Sequence, residues 1–274
     1  MEQALSRLNY FDVSSKTVVI TGASGQLGLE YQMAFLKNGA KVIGLDIIKS
    51  EKIIEIEKSY KDSYLFLECD ITSKASLNSS IEAIRNSMGV PHVLINNAAI
   101  DSPPGAPIEE TGPFEKYPEE SWDKVIDVNL KGTFLACQII GGLMAKNKIG
   151  SIINISSIYG LVSPDQSIYD YRKKRGEEFY KPVAYSASKS GVLNLTRYLA
   201  TYWAKDNIRV NSLSISGVFN NQEEEFLDAY CKRIPIGRMA SSYEYNGALI
   251  FLASDASSYM TGSNLILDGG WTAI

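Results

Sequence analysis

The chain has 274 residues, of which 45% are hydrophobic and 21% charged, so it can bury a sizeable core. Its net charge of −4 excludes the basic excess expected of a protein that binds nucleic acid or an anionic membrane. Three scattered cysteines (Cys69, Cys137, Cys231) exclude a disulfide framework or zinc cluster, and the single histidine, His92, excludes a Ser-His-Asp triad and a poly-His metal site.

No apolar run approaches the roughly 20 residues of a membrane span, and residues 1–16 lack the apolar centre of a signal peptide. With the cysteine usage this leads to the expectation of a cytoplasmic protein in a reducing compartment. Residues 1–15 read as a tail, and residues 16–274 as one domain.

Strands and helices alternate along that domain. Thr17-Val18-Val19-Ile20 is a short apolar strand and 27–37 is helical; 41–45 is the second strand and 50–60 a mixed-charge helix. The third strand is 64–67, followed by a helix over 73–88 with Ser73 as N-cap. The fourth strand, 92–95, contains His92, which reads as structural. Helical periodicity covers 121–144. The fifth strand is 151–155, a helix starts near Val183, the sixth strand is 208–213 and the seventh 264–267, with helical stretches near 222–232 and 242–253 between these two. Continuously apolar strands separated by helices imply a parallel sheet covered on both faces. The expected fold is therefore α/β, a single-domain doubly wound parallel sheet of about seven strands, the Rossmann type.

The first strand runs into Thr21-Gly22-Ala23-Ser24-Gly25-Gln26-Leu27-Gly28. Glycines there let backbone approach a phosphate, and the following helix presents free N–H groups and a positive dipole end. Gly22, Ser24, Gly25, Gln26 and Leu27 are thus candidates for holding a nucleotide. Asp46 ends the second strand, where a carboxylate can accept from both adenosine ribose hydroxyls and repel a 2′-phosphate. Ile47 and Ile48 follow it with no cation, which favours NAD over NADP. Asp70-Ile71 after the third strand can border an adenine. Asn97 and Ala98, in Asn96-Asn97-Ala98-Ala99, can let a cofactor pass close to the backbone. Each of these also has a plain reading as a turn.

Tyr185-Ser186-Ala187-Ser188-Lys189 precedes an apolar helical run. At 3.6 residues per turn Tyr185 and Lys189 share a helix face. A cation beside a phenol lowers its pKa from about 10, and such a tyrosine can pass protons near neutral pH. Without further context the same pair is an ordinary solvated face.

Together these motifs make residues 16–271 resemble the short-chain dehydrogenase/reductase family. The carriers are the Thr21–Gly28 turn, Asp70, Asn96-Asn97-Ala98-Ala99, Asn129 in Val128-Asn129-Leu130, Ser157 in Ile155-Ser156-Ser157, Tyr185 with Lys189, and the end from Ala253-Ser254-Asp255 to Asp268-Gly269-Gly270. The resemblance implies that Tyr185 is the acid/base. It implies that Lys189 lowers the tyrosine's pKa and binds the nicotinamide ribose, that Ser157 polarises the substrate oxygen, and that Asn129 holds a water linking Lys189 to solvent. Ser156 rivals Ser157; Ser157 is preferred because it stands three residues before Gly160. Val218 would offer its backbone to the nicotinamide carboxamide. No metal is implied. A homo-oligomer, tetramer or dimer, is usual in the family.

The chain departs from the family at Gln26 and Ala99, where glycine is usual, at Ile215-Ser216, where Pro-Gly is usual, and in an insertion between Ser157 and Tyr185. That insertion carries Arg172-Lys173-Lys174-Arg175. The run reads either as a solvated loop or as a site for a substrate phosphate or carboxylate, with Tyr169 or Tyr171 against a ring. The amides of Asn220, Asn221 and Gln222 suit a polyhydroxylated ligand, and Glu223, Glu224 and Glu225 read as a solvated helix start. The C-terminal half is similar to members associated with surface-polysaccharide and flagellin sugar pathways. Substrate-contacting loops are expected near 101–118, 162–182 and 217–235. The expected activity is NAD-dependent interconversion of a secondary alcohol and a ketone on a sugar or activated sugar. The alternatives are a 3-oxoacyl thioester reductase and a non-catalytic partner that kept the fold.

Overall fold

Seven strands run parallel in the order β3-β2-β1-β4-β5-β6-β7 in the computed structural model, which describes residues 9–274. They are β1 (Thr17–Thr21), β2 (Lys41–Asp46), β3 (Tyr64–Glu68), β4 (Val93–Asn96), β5 (Gly150–Ser157), β6 (Ile208–Ile215) and β7 (Asn264–Leu267). The helices are α1 (Gln26–Lys37), α2 (Glu51–Ser59), α3 (Lys74–Met88), α4 (Glu119–Lys146), α5 (Asp170–Lys174), α6 (Val183–Trp203), α7 (Glu224–Cys231) and α8 (Asn246–Ala253). The expected doubly wound sheet is therefore present. β1 is buried at every position because helices cover both its faces, whereas edge strand β7 is only partly buried.

The period-two alternation of the strands sorts the core into two layers. Val18, Ile20 and Val42 meet Tyr31 and Phe35 of α1 and Leu249 and Leu252 of α8 on one face. Val19, Ile43 and Leu94 meet Leu77 of α3, Ile140 and Met144 of α4 and Trp203 of α6 on the other. α4 is long and apolar enough to cross a membrane by length and composition, yet its apolar face is spent on this layer. Two π turns interrupt it, Asp127–Gly132 and Cys137–Gly141. Ser73 caps α3 as predicted, accepting from the Ser76 N–H.

Several boundaries move. His92 lies just before β4, where its Nδ1 accepts a hydrogen bond from the Thr17 N–H at 3.0 Å, so its role is structural as expected but outside the strand. β5 and β6 extend two residues beyond the predicted ends, which brings Ser156, Ser157 and Ile215 into the sheet. Segment 162–182 is not a bare loop but holds a 3-10 turn, Gln166–Tyr169, and α5. Of the predicted tail, residues 9–15 lie among those described, and they pack on the domain: Val13 is 1% exposed and the Tyr10 carbonyl accepts from the Ala256 N–H.

A buried amide holds the first turn to this frame. Gln32 of α1 donates to the carbonyls of Ala23 (2.7 Å) and Gly28 (2.9 Å) and accepts from the Tyr64 hydroxyl. Gly44 makes room for this arrangement; a Cβ there would lie 2.5 Å from Gln32 Oε1 and 2.6 Å from the Tyr64 hydroxyl. Removing one partner from a buried hydrogen bond costs the desolvation of the other. Tyr64→Phe should therefore lower stability by about 1–3 kcal/mol in urea unfolding. Gln32→Ala should cost more, because it removes three side-chain hydrogen bonds, leaves the Tyr64 hydroxyl without its partner and leaves a cavity.

Candidate active site

The strand order reverses between β1 and β4, and the crevice above that point is where such sheets hold ligands. One side of it is a cleft of about 620 Å³, lined by Gly22, Gly25, Gln26, Leu27, Asp46, Asp70, Ile71, Asn97, Ala98, Tyr185 and Lys189. With Tyr185, which is also expected to touch the cofactor, eleven of the thirteen candidate cofactor residues meet here; Ser24 and Val218 do not.

The floor of the cleft is backbone at closest approach. Gly22 has φ +67°, and a Cβ on it would fall 2.7 Å from Ala98 Cα; one on Gly28 would fall 2.0 Å from the Gly22 carbonyl oxygen. Asn97 locks this contact by donating to the carbonyls of Thr21 (3.0 Å) and Gly22 (3.2 Å), while Thr21 Oγ1 accepts from the N–H groups of Asn97 and Ala98. Gln26 takes up the place of the usual glycine without a positive φ, as the first residue of α1. The Gln26 amide donates to the Phe219 carbonyl at 3.1 Å, tying the turn to segment 217–235.

The Asp46 carboxylate accepts from the N–H groups of Ser24 (2.9 Å) and Ile48 (3.1 Å). Ser24 does not line the cleft; its hydroxyl donates to the Ile48 carbonyl, so it braces the Asp46 loop rather than facing a ligand. Asp70 accepts from the backbone and hydroxyl of Thr72. Val218 lies in the adjoining cavity rather than in the cleft. Leu45, Thr72, Lys124 and Ile215 also line the cleft; no spacing in the sequence marks them, because the fold alone brings them there. A glycine-floored crevice at a helix N-terminus, with a carboxylate at the end of β2, fits a dinucleotide.

Tyr185 borders both the cleft and a second cavity of about 710 Å³. Ser157, at the end of β5, opens into that cavity and hydrogen-bonds the Tyr185 phenol. Ser156 instead donates to the Lys189 carbonyl at 3.0 Å. Only Ser157 of the two thus faces the cavity. Lys189 is 3% exposed and donates to the Ile155 carbonyl at 2.8 Å, and its Nζ lies 5.7 Å from the Tyr185 ring centre. Asn129 sits in the first π turn of α4. Its amide is fully engaged, donating to the Ile100 carbonyl and the Ser188 hydroxyl and accepting from the Ile100 N–H.

The electrostatics differ from the expectation. Burial, then the Asp101 carboxylate, push Tyr185 up to about 12, and the Ser157 hydrogen bond opposes them. Burial lowers Lys189 to about 8, against the pull of Asp101. In the chain by itself burial outweighs the neighbouring cation, so the phenol is held above its ordinary range and not lowered as predicted.

The three predicted substrate segments do meet at the second cavity, through Asp101, through Tyr171, Arg172, Phe179 and Lys181, and through Asn221 with Gln222. Asn220 does not line it; its N–H donates to Gln222 Oε1. Of the four consecutive cations only Arg172 reaches the cavity, with its guanidinium 4.4 Å from the Phe179 ring centre. Lys173 pairs with Asp170, and Arg175 pairs with Glu223 and Glu225. The two charge runs thus meet one another, although each taken separately reads as solvated. In place of Pro-Gly after β6, Tyr230 accepts from the Gly217 N–H at 2.8 Å and Tyr245 donates to the Ser216 carbonyl, so side-chain hydrogen bonds stiffen the turn.

Residues 22–272 match the family model described as Enoyl-(Acyl carrier protein) reductase. The chain is 33% identical to an NAD-dependent glycerol dehydrogenase of Listeria innocua over 267 residues, 96% of each chain. A short-chain dehydrogenase of Leptospira borgpetersenii with bound NAD+ superimposes with a TM-score of 0.81 at 34% identity, covering 96% of both chains. A gluconate 5-dehydrogenase of Burkholderia cenocepacia, in complex with NADP and tartrate, gives 0.83 at 26% identity, with 97% of this chain and 99% of that one covered. The chain belongs to the short-chain dehydrogenase/reductase family. It is an oxidoreductase acting on CH–OH groups with a pyridine nucleotide.

Burying the Lys189 ammonium costs stability at neutral pH. A lysine whose folded pKa lies below its unfolded value binds fewer protons when folded, so its penalty is full below about pH 8 and fades as pH rises toward about 10.5. Lys189→Met should therefore raise stability at pH 7 by on the order of 1–3 kcal/mol. The gain should shrink by pH 10, as read by thermal unfolding at both values.

Proposed function

We propose that the protein interconverts a secondary alcohol and a ketone on a sugar-like substrate, with Tyr185 as acid/base. The observation that carries this reading is that Tyr185 borders both the dinucleotide cleft and the substrate cavity, with Ser157 on the cavity side and Lys189 on the cleft side. A nicotinamide bound in the cleft would supply the hydride chemistry, and the positive charge of its oxidised ring would oppose the upward push of burial on the phenol.

In the oxidising direction Ser157 holds the substrate oxygen by a hydrogen bond and Tyr185 takes the hydroxyl proton as the hydride leaves carbon. In the reducing direction Tyr185 returns the proton to the forming alkoxide. Lys189 binds the nicotinamide ribose and stabilises the phenolate. Asn129, in the first π turn of α4, holds a water that links Lys189 to solvent. Gly22, Gly25, Gln26 and Leu27 hold the pyrophosphate, Asp70, Ile71, Asn97 and Ala98 border the adenosine, and the Val218 backbone takes the carboxamide. Asp46 ends β2 with Ile47 and Ile48, not a cation, directly after it, which favours NAD. A copy-to-copy contact is supported by the exposed rings of Tyr198 and Tyr202, stacked 6.0 Å apart on α6.

The substrate cavity is roomier than a three- or four-carbon polyol needs. Its aromatic wall, with Tyr169 and Phe179 4.6 Å apart, suits the C–H face of a sugar ring, and Arg172 suits an acidic substituent.

Titration with NADH followed by turnover assays on polyols, sugar acids and sugar phosphates tests the reading. Binding with turnover of a sugar-like substrate is expected; binding without turnover of any would make the protein a non-catalytic partner. Asp46→Ser should raise the preference for NADP over NAD by about tenfold or more, a change of roughly 1.4 kcal/mol. A wild-type preference for NADP would contradict the Asp46 argument. Arg172→Ala should raise KM for a sugar acid or sugar phosphate about tenfold with kcat little changed. An unchanged KM for every acidic substrate would remove Arg172 from recognition.

A further inference from the structure

Lys189 is not the only cation at the Tyr185 ring. Lys181 Nζ lies 5.5 Å from the ring centre, as near as Lys189 Nζ at 5.7 Å. The Lys181 side chain is 14% exposed and is ion-paired with the carboxylate of Asp101. Both partners line the substrate cavity, and Asp101 also borders the nucleotide cleft.

The pair is held from both ends. The Lys181 N–H donates to Gln166 Oε1 at 2.9 Å, and the neighbouring Tyr180 N–H donates to the Thr111 carbonyl at 2.7 Å. On the other side, Ile100, next to Asp101, exchanges two 2.8 Å hydrogen bonds with the Asn129 side chain. The Asp101 side chain is 49% exposed, so solvent screens part of its charge, whereas the more enclosed, anchored Lys181 keeps its ammonium beside the phenol ring.

We propose that Asp101 and Lys181 are positioning residues that together set the proton affinity of Tyr185, the carboxylate raising it and the ammonium lowering it. The inference rests on Tyr185 being the proton-transfer group of the reading above. The other groups facing the phenol are Lys189 on its own helix, Ser157 on β5, and the phenols of Tyr159 and Tyr230; Arg172 and Glu223 stand further round the same cavity. Asp101 acts upward on both Tyr185 and Lys189. The two charges act in opposite directions at the phenol, so removing either one leaves the other unopposed. Neither residue belongs to the motifs that mark the family in the sequence, and 80 residues separate them.

The test reads the phenol directly and needs no substrate. Protein labelled with 13C at tyrosine Cζ and saturated with NAD+ is titrated by NMR, with the Tyr185 resonance assigned by its loss in Tyr185→Phe. Asp101→Asn should move the midpoint down by roughly one unit, and Lys181→Met should move it up by a similar amount or keep the phenol protonated throughout the wild-type transition. The double variant Asp101→Asn/Lys181→Met, which buries no lone charge, should return close to wild type. Single variants that shift the midpoint in the same direction, or not at all, would overturn the proposal. A Tyr185 that obeys this pattern in a protein that turns over no sugar-like substrate would instead leave the charge pair standing and remove the activity.

Discussion

The backbone of Gly22 lies against that of Ala98 with no space for one more carbon, and the rest of the site hangs from that contact. It occurs where β1 and β4 send their chains to opposite faces of the sheet, and it leaves above it a crevice that no side chain fills. Thr21 and Asn97 fasten it from above and Gln32 from behind, all through hydrogen bonds to backbone. With the floor fixed, the end of β5 and the first turns of α6 fall on the opposite wall, which delivers Ser157, Tyr185 and Lys189 to the junction of two cavities.

That junction is maintained at a cost in stability. Lys189 gives up most of its hydration for one 2.8 Å bond to the Ile155 carbonyl, and Tyr185 is held up by burial. Sites tuned for proton transfer commonly carry such costs, because the environment that shifts a pKa is one the charged form resists. The segments over the site are tied by charge as well as by packing: Lys181 to Asp101, and Arg175 to Glu223 and Glu225. Gln26 adds a bond from the cofactor turn to the substrate segment at Phe219, at the position where the family carries glycine.

Much of this is legible in the amino-acid sequence. Apolar strands alternating with helices dictate the sheet, the Thr21–Gly28 turn and Asp46 stand out by their places at strand ends, and Tyr185 with Lys189 is singled out by the family resemblance. Three things were not legible, each for a physical reason. Asp101 and Lys181 lie 80 residues apart and become neighbours only when two loops close over α6. Ser24 has the right type and place for a phosphate contact, but its hydroxyl finds the Ile48 carbonyl first. The proton affinity of Tyr185 depends on burial, which a spacing of four residues cannot express, so the rule that a nearby lysine lowers a phenol failed for the chain by itself.

The central claim is that Tyr185 carries the proton while the cleft binds the cofactor independently of it. Tyr185→Phe, compared with wild type for NADH affinity and for turnover of any sugar-like substrate the wild type accepts, tests it most directly. The account predicts NADH affinity within about threefold of wild type, less than 1 kcal/mol, and kcat/KM reduced by about 10²-fold or more. Near-wild-type turnover in the phenylalanine variant would contradict it.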